Sequence, residues 1–418
     1  MDSARLSRLY GAGAAGAQAA RYGRLQKLYE EHFGKAANLR YISAPGRTEI
    51  AGNHTDHNAG CVLAAAINLD ALALAAPNGT SVVSIYDEGY SALLTVDVSD
   101  LTIHEEEKGV SLSLIRGVAA RMAELGFRVG GFNACVTSTV LKGSGLSSSA
   151  AFEVLICAVF DSLFGGFAMD AKLRAQIAQY AENVYFGKPC GLMDQTASSV
   201  GGLVAIDFGG TGPSGGAVPI VTAMTYDFEA KGYGVAVVSA GGEHGNLTHE
   251  YAAIPAEMKS VAALFGKKAM REVDPKALEE GIARIKGKVS DRAILRALHF
   301  ADENARVGKL VEALKADDLS AFFRLIIESG ESSWKLLQNI YVPGGGNQEM
   351  ALALEISRRM LEGKGAWRIH GGGFAGTILA FVPLDMMDEY ARRMNAVFGE
   401  KAVVRLMIRP EGAIEFKS

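Results

Sequence analysis

The sequence has few of the residues that mark disulfide-bonded, fibrous or nucleic-acid-binding proteins. Its four cysteines are widely spaced and form no C-x-x-C pair, which excludes a disulfide framework or a zinc ribbon and suits a reducing compartment. Ten prolines in 418 residues argue against collagen or a long linker. The formal net charge is −4, which argues against a nucleic-acid partner.

Long uninterrupted apolar runs are also missing. The longest, 61–76, is broken by Asn68 and Asp70, so we expect no membrane span. The arginine- and alanine-rich N-terminus has the composition of a transit peptide, but Asp2 and the lack of a cleavage signal favour a peripheral amphipathic helix or a frayed end. We therefore expect a cytoplasmic protein.

Glycine is the residue in excess, with 49 copies that suit positive φ angles or close approach of the backbone to a ligand. The length predicts two or three domains at about 150 residues each. Strands and helices cluster instead of alternating, which predicts an α+β fold. The glycine-rich stretch 209–218 predicts a boundary between an N-terminal domain, 1–215, and a C-terminal domain, 216–418.

Hydrophobic periodicity predicts the elements around the polar segments. The elements that bear on the site are strands at 39–43, 61–76, 132–141 and 402–408 and helices at 149–164, 171–185, 290–301 and 306–327.

Polar side chains crowd the segment Ala44–Gly60, between two apolar strands. Short polar groups at this density suit hydrogen bonding to the hydroxyls of a sugar. A metal site is an alternative, although H-x-x-H inside a loop is not a usual ligand spacing, and a solvated polar turn is another. The crowded side chains are Arg47, Glu49, Asn53, His54, Asp56 and His57.

A glycine–serine loop, Lys142–Ala150, lies between a predicted strand and a predicted helix. Consecutive N–H groups at a helix N-terminus attract phosphate through hydrogen bonds and the helix dipole. The hydroxyls of Ser147, Ser148 and Ser149 add donors and Mg²⁺ ligands. An ordinary serine-capped loop is the alternative, but the strand–loop–helix context favours phosphate binding.

Two carboxylates, Glu182 and Asp194, lie twelve residues apart. A phosphoryl transferase needs one carboxylate for Mg²⁺ and one near the attacking hydroxyl, although either alone would be an ordinary surface charge. A further segment, His370–Thr377, matches G-x-G-x-x-G but leads into a strand pattern, which disfavours a dinucleotide-binding fold. No Gly-Lys pair precedes Ser or Thr, which disfavours a P-loop NTPase.

Together these segments resemble the GHMP small-molecule kinases, and among them the galactokinases. The family signature G-R-x-N-L-I-G-E-H-T-D-Y-N-x-G-x-V-L reads G-R-T-E-I-A-G-N-H-T-D-H-N-A-G-C-V-L here, at 46–63. The family's phosphate loop is similar to Lys142–Ala150, its C-G-I-M-D-Q motif to Cys190–Gln195, its third, glycine-rich motif to His370–Gly376, and its sugar-contacting tyrosine segment to Thr248–Tyr251.

The resemblance implies an N-terminal domain like ribosomal protein S5 domain 2, a ferredoxin-like C-terminal domain and an active site between them. It implies Mg²⁺- and ATP-dependent phosphorylation of the anomeric hydroxyl of galactose. Asp194 would take or orient the hydroxyl proton, and Arg47 would keep Asp194 ionised and stabilise the transferring phosphoryl group. The implied sugar contacts are Asn53, His54, Asp56, Gly191 and Tyr251; the implied ATP contacts are Gly143, Ser144, Gly145, Leu146, Ser147, Ser148 and Ser149; the implied Mg²⁺ ligands are Ser149 and Glu182.

Three departures from the family leave alternatives open. Asn53 replaces the family's Glu and His57 its Tyr, which would repel an anionic C6 carboxylate less and admits galacturonate or another modified hexose. Ser111 stands where the family often has Trp, so GTP stays open as the donor. A sugar sensor without turnover is an alternative of another class, although Arg47 and Asp194 are both present. The expected partners are a small sugar and a nucleotide, with neither nucleic acid nor membrane; the sequence predicts no oligomeric state.

Overall fold

The computed structural model describes residues 2–140, 145–210, 218–241, 247–342, 346–374 and 376–417. The helices are α1 Ser3–Tyr10, α2 Ala15–Phe33, α3 Ser111–Glu124, α4 Ser148–Phe160, α5 Ala171–Tyr180, α6 Met193–Val200, α7 Thr248–Leu264, α8 Pro275–Ile285, α9 Asp291–Lys315, α10 Leu319–Ser332, α11 Glu349–Leu361 and α12 Met387–Phe398. The strands are β1 Arg40–Ala51, β2 Cys61–Pro77, β3 Val82–Asp87, β4 Ala92–Asp97, β5 Phe132–Ser138, β6 Leu203–Asp207, β7 Ile220–Met224, β8 Tyr233–Gly241, β9 Ala366–His370, β10 Gly376–Pro383, β11 Val403–Leu406 and β12 Ile414–Lys417.

A large mixed sheet carries the first polar segment. Its strand order is β12-β1-β2-β5-β3-β4, with β6 paired to β2 and β7 to β6; β3 and β5 run parallel and the other pairs antiparallel. β1 is buried along nearly its whole length because α4 and α6 pack against it. The β1–β2 register shifts between Pro45 and Arg47 and again between Glu49 and Ala51. These irregularities lie in the part of β1 that carries the site's side chains.

A second, four-stranded antiparallel sheet has the order β11-β8-β10-β9. α11 and α12 pack against it, and the aromatic side chains of Trp367 and Tyr390 belong to its core. The turn between β9 and β10 is the glycine-rich segment, which lies beside the end of β1. This placement brings the last predicted motif to the first one.

Two strand pairs of the large sheet join residues before and after the predicted boundary at residue 215, which remains a prediction. β7 pairs with β6, and β12 pairs with β1 from Arg40↔Lys417 to Ser43↔Ile414. A cut at this point would leave both strands hydrogen-bonded across it.

The N-terminal helices are fixed to the large sheet through the buried carboxylate of Asp70. Arg21 Nη1 lies 2.5 Å from Asp70 Oδ1, Arg409 Nη1 lies 3.3 Å from Oδ2, and the Tyr10 hydroxyl donates to Oδ2 at 2.6 Å. Leu6, on α1, is buried in the same region. The expected peripheral amphipathic helix is confirmed by α1.

The structure corrects the element predictions at four points. α9 is continuous where a break was expected at 302–305, because Glu303 is a buried polar residue on the helix's apolar face, and α10 begins only at Leu319. β6, β7, β12 and α6, which carries Asp194, were not predicted, and the chain ends on β12 instead of a strand at 402–408. One run, Ser148–Gly165, is long and apolar enough to cross a membrane by length and composition, contrary to expectation, but 67% of it is buried inside the protein.

Candidate active site

Arg47 on β1 and Asp194 in the first turn of α6 form the centre of the site. Arg47 Nε lies 2.6 Å from Asp194 Oδ1, and Nη2 lies 2.7 Å from Oδ2. Burial raises the pKa of Asp194, but the charge and hydrogen bonds of Arg47, together with a hydrogen bond from Ser147, outweigh it and lower the pKa below its ordinary value. Asp194 is therefore an ionised acceptor at neutral pH.

The start of α4 lies against this ion pair. The Ser147 hydroxyl donates to Asp194 Oδ2, and Arg47 Nη1 donates to the carbonyl of Gly145. Gly145 and Ser147 both have left-handed φ angles, +71° and +57°, just before α4 begins at Ser148. This bend leads directly into the N-terminus of α4, where the first N–H groups have no acceptor within the helix and suit anion binding. The side chain of Leu146 is buried in the core, so only the backbone of this residue is placed for the predicted contact with ATP.

Two residues predicted to contact the nucleotide, Gly143 and Ser144, lie outside the described residues. The predicted Ser148 and Ser149 begin α4, and both line a cleft of about 250 Å³. Its lining residues are Arg47, Gly145, Ser147, Ser148, Ser149, Glu182, Lys188, Cys190 and Asp194.

The carboxylate of Glu182 lies across the cleft from the serines. Ser149 Oγ is 3.4 Å from its Oε1, and the Lys188 ammonium is 3.2 Å from the same oxygen. The Lys188 ammonium is thus the cation that pairs with this carboxylate in the structure. Hydroxyl and carboxylate oxygens, such as those of Ser149 and Glu182, are the ligands that Mg²⁺ prefers. Within the described ranges no group of three or more His, Cys, Asp or Glu side chains could hold a metal, so phosphate oxygens and water would have to complete the coordination.

A buried polar layer supports Glu182 from behind. Gln195 Nε2 donates to Glu182 Oε2 at 2.9 Å and to Glu153 Oε2 at 3.1 Å. Burial, and next the charge of Glu182, raise the pKa of Glu153 well above its ordinary value. Sequence reasoning missed Glu153 and Lys188, since one lies on an apolar helix and the other in a Gly-Lys-Pro helix stop.

Asp56 and Gly191, two of the predicted sugar contacts, lie against each other. A Cβ built on Gly191 would come within 2.5 Å of Asp56 Oδ2, so only glycine leaves the carboxylate in place. His57, the neighbour that departs from the family, has 43% of its side chain exposed, with Nε2 3.7 Å from Asp56 Oδ1.

The other three predicted sugar contacts donate to consecutive carbonyls of the glycine-rich segment. Asn53 Nδ2 donates to Gly371, His54 Nε2 to Gly372 and the Tyr251 hydroxyl to Gly373, each at 2.8 Å. Burial lowers the pKa of His54 to about 4, so its ring is neutral at pH 7. Asn53 is only 1% exposed. Its predicted sugar contact therefore stays a prediction, with the amide engaged by the protein.

Comparison with known proteins gives two family models that match separate parts of the chain. A galactokinase galactose-binding signature matches residues 27–77, and a GHMP kinases N terminal domain matches residues 113–202. The fold is similar to that of a Lactococcus lactis galactokinase crystallised with galactose, with a TM-score of 0.80 and 21% identity over 94% of this chain and 99% of that one. It is also similar to a Methanococcus jannaschii mevalonate kinase, with a TM-score of 0.62 and 15% identity over 90% and 99%.

Fold and site together define a small-molecule kinase of the GHMP class. The chain is 32% identical to a galactokinase of Glaesserella parasuis over 87% of its own length and 90% of that protein. It is also 32% identical to a galactokinase of Actinobacillus pleuropneumoniae over 89% and 92%. The chain belongs to the galactokinase family, which confirms the resemblance and the fold class predicted from the sequence.

Proposed function

We propose that the protein transfers the terminal phosphoryl group of ATP to the anomeric hydroxyl of galactose, giving galactose 1-phosphate. The observation that carries this proposal is the two-point pair between Arg47 and Asp194, set against the N-terminus of α4. The pair places an ionised acceptor for the hydroxyl proton beside donors for phosphate oxygens.

Asp194 accepts or orients the proton of the attacking hydroxyl in this proposal. Arg47 lowers the proton affinity of the carboxylate, so Asp194 acts mainly by orienting the hydroxyl and by taking its proton as the oxygen–phosphorus bond forms. The same guanidinium stabilises negative charge on the transferring group. Positioning and charge neutralisation are what phosphoryl transfer chiefly requires of a protein.

Ser149 and Glu182 would hold Mg²⁺, and the backbone from Gly145 to Ser148, with Gly143 and Ser144 before it, would hold the phosphates. The metal supplies charge neutralisation between the phosphate groups when it is bound. Lys188, now on Glu182, would be free to move to the phosphates once the carboxylate holds the metal.

On the sugar side, Asp56 is the proposed hydroxyl acceptor, beside Gly191, with His54, Tyr251 and Asn53 around it. Galacturonate is a second candidate substrate, because an uncharged Asn53 and the exposed imidazole of His57 add no negative charge near the acceptor. We place the protein in the cytoplasm, a reducing compartment in which its four free cysteines would stay reduced.

The test is a coupled ADP-release assay with ATP and Mg²⁺ on galactose, galacturonate, glucose, N-acetylgalactosamine and mevalonate. Turnover confined to galactose supports the proposal. Preference for galacturonate would replace the substrate while keeping the reaction. If the protein binds galactose but releases no ADP from ATP with any of these acceptors, the kinase reaction is contradicted and a sensor is favoured.

A further inference from the structure

Two buried side chains at the end of β1, Glu49 and Asn53, are bonded to each other. Asn53 Nδ2 donates to Glu49 Oε1 at 3.2 Å. Glu49 is 5% exposed and Asn53 1% exposed. A buried carboxylate and a buried amide both need defined partners, so their surroundings show which residue type each position requires.

Position 53 is surrounded by both acceptors and donors. Its amide nitrogen faces the Gly371 carbonyl and Glu49, and its amide oxygen accepts from Asn339 Nδ2 at 2.8 Å and Ser333 Oγ at 3.3 Å. These four bonds use the full capacity of a side-chain amide. An ionised carboxylate at this position would have no proton for Gly371 or for Glu49.

Position 49 is surrounded by donors instead. Arg368, fully buried on β9, places Nη2 3.1 Å from Glu49 Oε1 and donates from Nη1 to the Ile50 carbonyl at 2.7 Å. Without the carboxylate, the buried guanidinium would lose the anion to which it is hydrogen-bonded, which is strongly destabilising. The anion therefore belongs at 49 and the amide at 53.

The order of these two residues is the reverse of the family signature, in which Asn precedes Ile-Gly-Glu-His by two positions and Glu precedes His. We propose that Glu49 and Asn53 are one exchanged pair, in which the carboxylate and the amide have traded places, and that this pair positions the sugar-side loop against the glycine-rich segment. The positioning role rests on the proposed function; the exchange rests on the contacts and on the family signature.

The pair reaches the sugar side through its neighbours. The Asn53 carbonyl accepts from His299 Nε2 at 3.0 Å, which fixes the backbone just before His54. His54 donates to Gly372, the next residue after the one that Asn53 holds. A change at 49 or 53 therefore displaces His54 and the glycine-rich segment together, without touching Asp194.

The test is a double-mutant cycle on the full chain with Glu49→Asn, Asn53→Glu and the double variant. Glu49→Asn removes the carboxylate hydrogen-bonded to the Arg368 guanidinium, and Asn53→Glu places two carboxylates side by side. We therefore expect each single change to raise KM for galactose more than KM for ATP. The double variant returns one carboxylate and one amide to the cluster. We expect its kcat/KM to exceed the value for additive single effects by about tenfold, a coupling typical of residues in contact.

Asp161→Asn is the matched control. Asp161 is an equally buried carboxylate, with Arg174 Nη2 at 3.1 Å, at the far end of α4 from Ser148. It should lower thermal stability without changing the ratio of the two KM values. Glu49→Gln should restore part of the loss, because it still accepts from Asn53.

The outcomes separate the pair from the proposed function. Additive effects of the two changes on both kcat/KM and the free energy of unfolding would overturn the exchanged pair. Additive effects on kcat/KM alone would overturn its positioning role. If the unmodified protein turns over no sugar, the proposed function and the positioning role both fail, and the unfolding cycle still decides whether the pair is exchanged.

Discussion

Asp194 receives both the Nε and the Nη2 of Arg47, across 147 residues of sequence, at 2.6 and 2.7 Å. A planar guanidinium that meets a carboxylate edge to edge fixes the orientation of both groups. The Ser147 hydroxyl also donates to Asp194 Oδ2, and in the proposed reaction the attacking hydroxyl would take this position on the carboxylate.

Replacing Asp194 with Asn should abolish most turnover while preserving the shape of the site. The amide cannot take a proton, so we expect kcat to fall by roughly 10²–10⁴-fold, the usual contribution of a general base. Galactose affinity, measured by calorimetry, should change by only a few-fold. Asp388→Asn, at an exposed pair with Arg405, is the control and should keep normal turnover. A kcat near that of the unmodified enzyme in Asp194→Asn would exclude the proposed role.

Glu182→Gln should weaken the binding of Mg²⁺ at the site. The amide keeps the size of the side chain but removes the charge that faces Ser149 and Lys188. We expect the Mg²⁺ concentration for half-maximal rate to rise by at least about tenfold, since a bond to a charged group contributes about 1.5–3 kcal/mol. Titration of ADP release with Mg²⁺ measures this, and calorimetry of ATP binding with and without Mg²⁺ checks it independently of turnover. Glu355→Gln, on the surface of α11, should leave both unchanged; an unaltered Mg²⁺ titration in Glu182→Gln would rule out the ligand.

Local pattern was sufficient for the elements that flank the site. The apolar runs on either side of the polar segment predicted β2 and the start of β1, but β1 continues through Arg47 to Ala51, beyond the predicted end at residue 43. The glycine–serine loop between an apolar strand and an apolar helix predicted the turn into α4. The pairing of Arg47 with Asp194 lies beyond periodicity, because nothing local relates residues so far apart. The resemblance to the family supplied that relation, because the family's motifs place these two residues in one active site and the spacing of residues in the sequence does not.

Two of the misses share one physical cause, which is a buried polar residue whose hydrogen-bond partners lie far away along the chain or on another element. Glu303 interrupts the apolar stripe of α9 and suggested a break, but its Oε1 accepts from the Gly52 amide at 2.9 Å and from Ser329 at 2.6 Å. Asn53 looked like a ligand contact, but Asn339 and Ser333 surround it. In both cases the deciding partner lies more than 200 residues away along the chain or on another element.

Gly191→Ala should damage sugar binding selectively. The added methyl group would lie about 2.5 Å from Asp56 Oδ2, so the carboxylate must move away from the position proposed for a sugar hydroxyl. Loss of one charged hydrogen bond is about 1.5–3 kcal/mol, so we expect KM for galactose to rise by roughly 10–100-fold, with little change in KM for ATP. Steady-state kinetics with each substrate varied in turn gives both values.

Gly308→Ala is the matched control for Gly191→Ala. Gly308 lies inside α9 with open space where the methyl group would go, so the change should leave KM unaltered and stabilise the helix by up to about 1 kcal/mol. Equal KM values for galactose in the two alanine variants would show that Asp56 does not depend on Gly191.

Acid should unfold the protein in a range set by Glu303 and His54. Burial would raise the pKa of Glu303, but His299, Arg368 and Arg306 outweigh it and lower the pKa to about 2. The stabilisation from Glu303 is therefore complete above its ordinary pKa of 4.5 and is lost as the pH falls toward 2. His54, with its pKa lowered to about 4, favours the folded state above pH 6.5 and loses that contribution as the pH falls toward 4.

Glu303→Gln isolates the carboxylate's share of this acid sensitivity. At pH 7 the variant should be less stable by on the order of 3 kcal/mol, because Arg306 and Arg368 lose a neighbouring anion. The difference from the unmodified protein should shrink as the pH falls below 4.5, since Glu303 then takes up a proton in the unfolded chain while the folded state keeps it ionised down to about pH 2. Urea unfolding at pH 7, 5 and 3.5 measures the difference, with Glu280→Gln on the exposed face of α8 as the control. A difference that stays constant from pH 7 to 3.5 would mean that the Glu303 carboxylate is not the group whose protonation destabilises the fold.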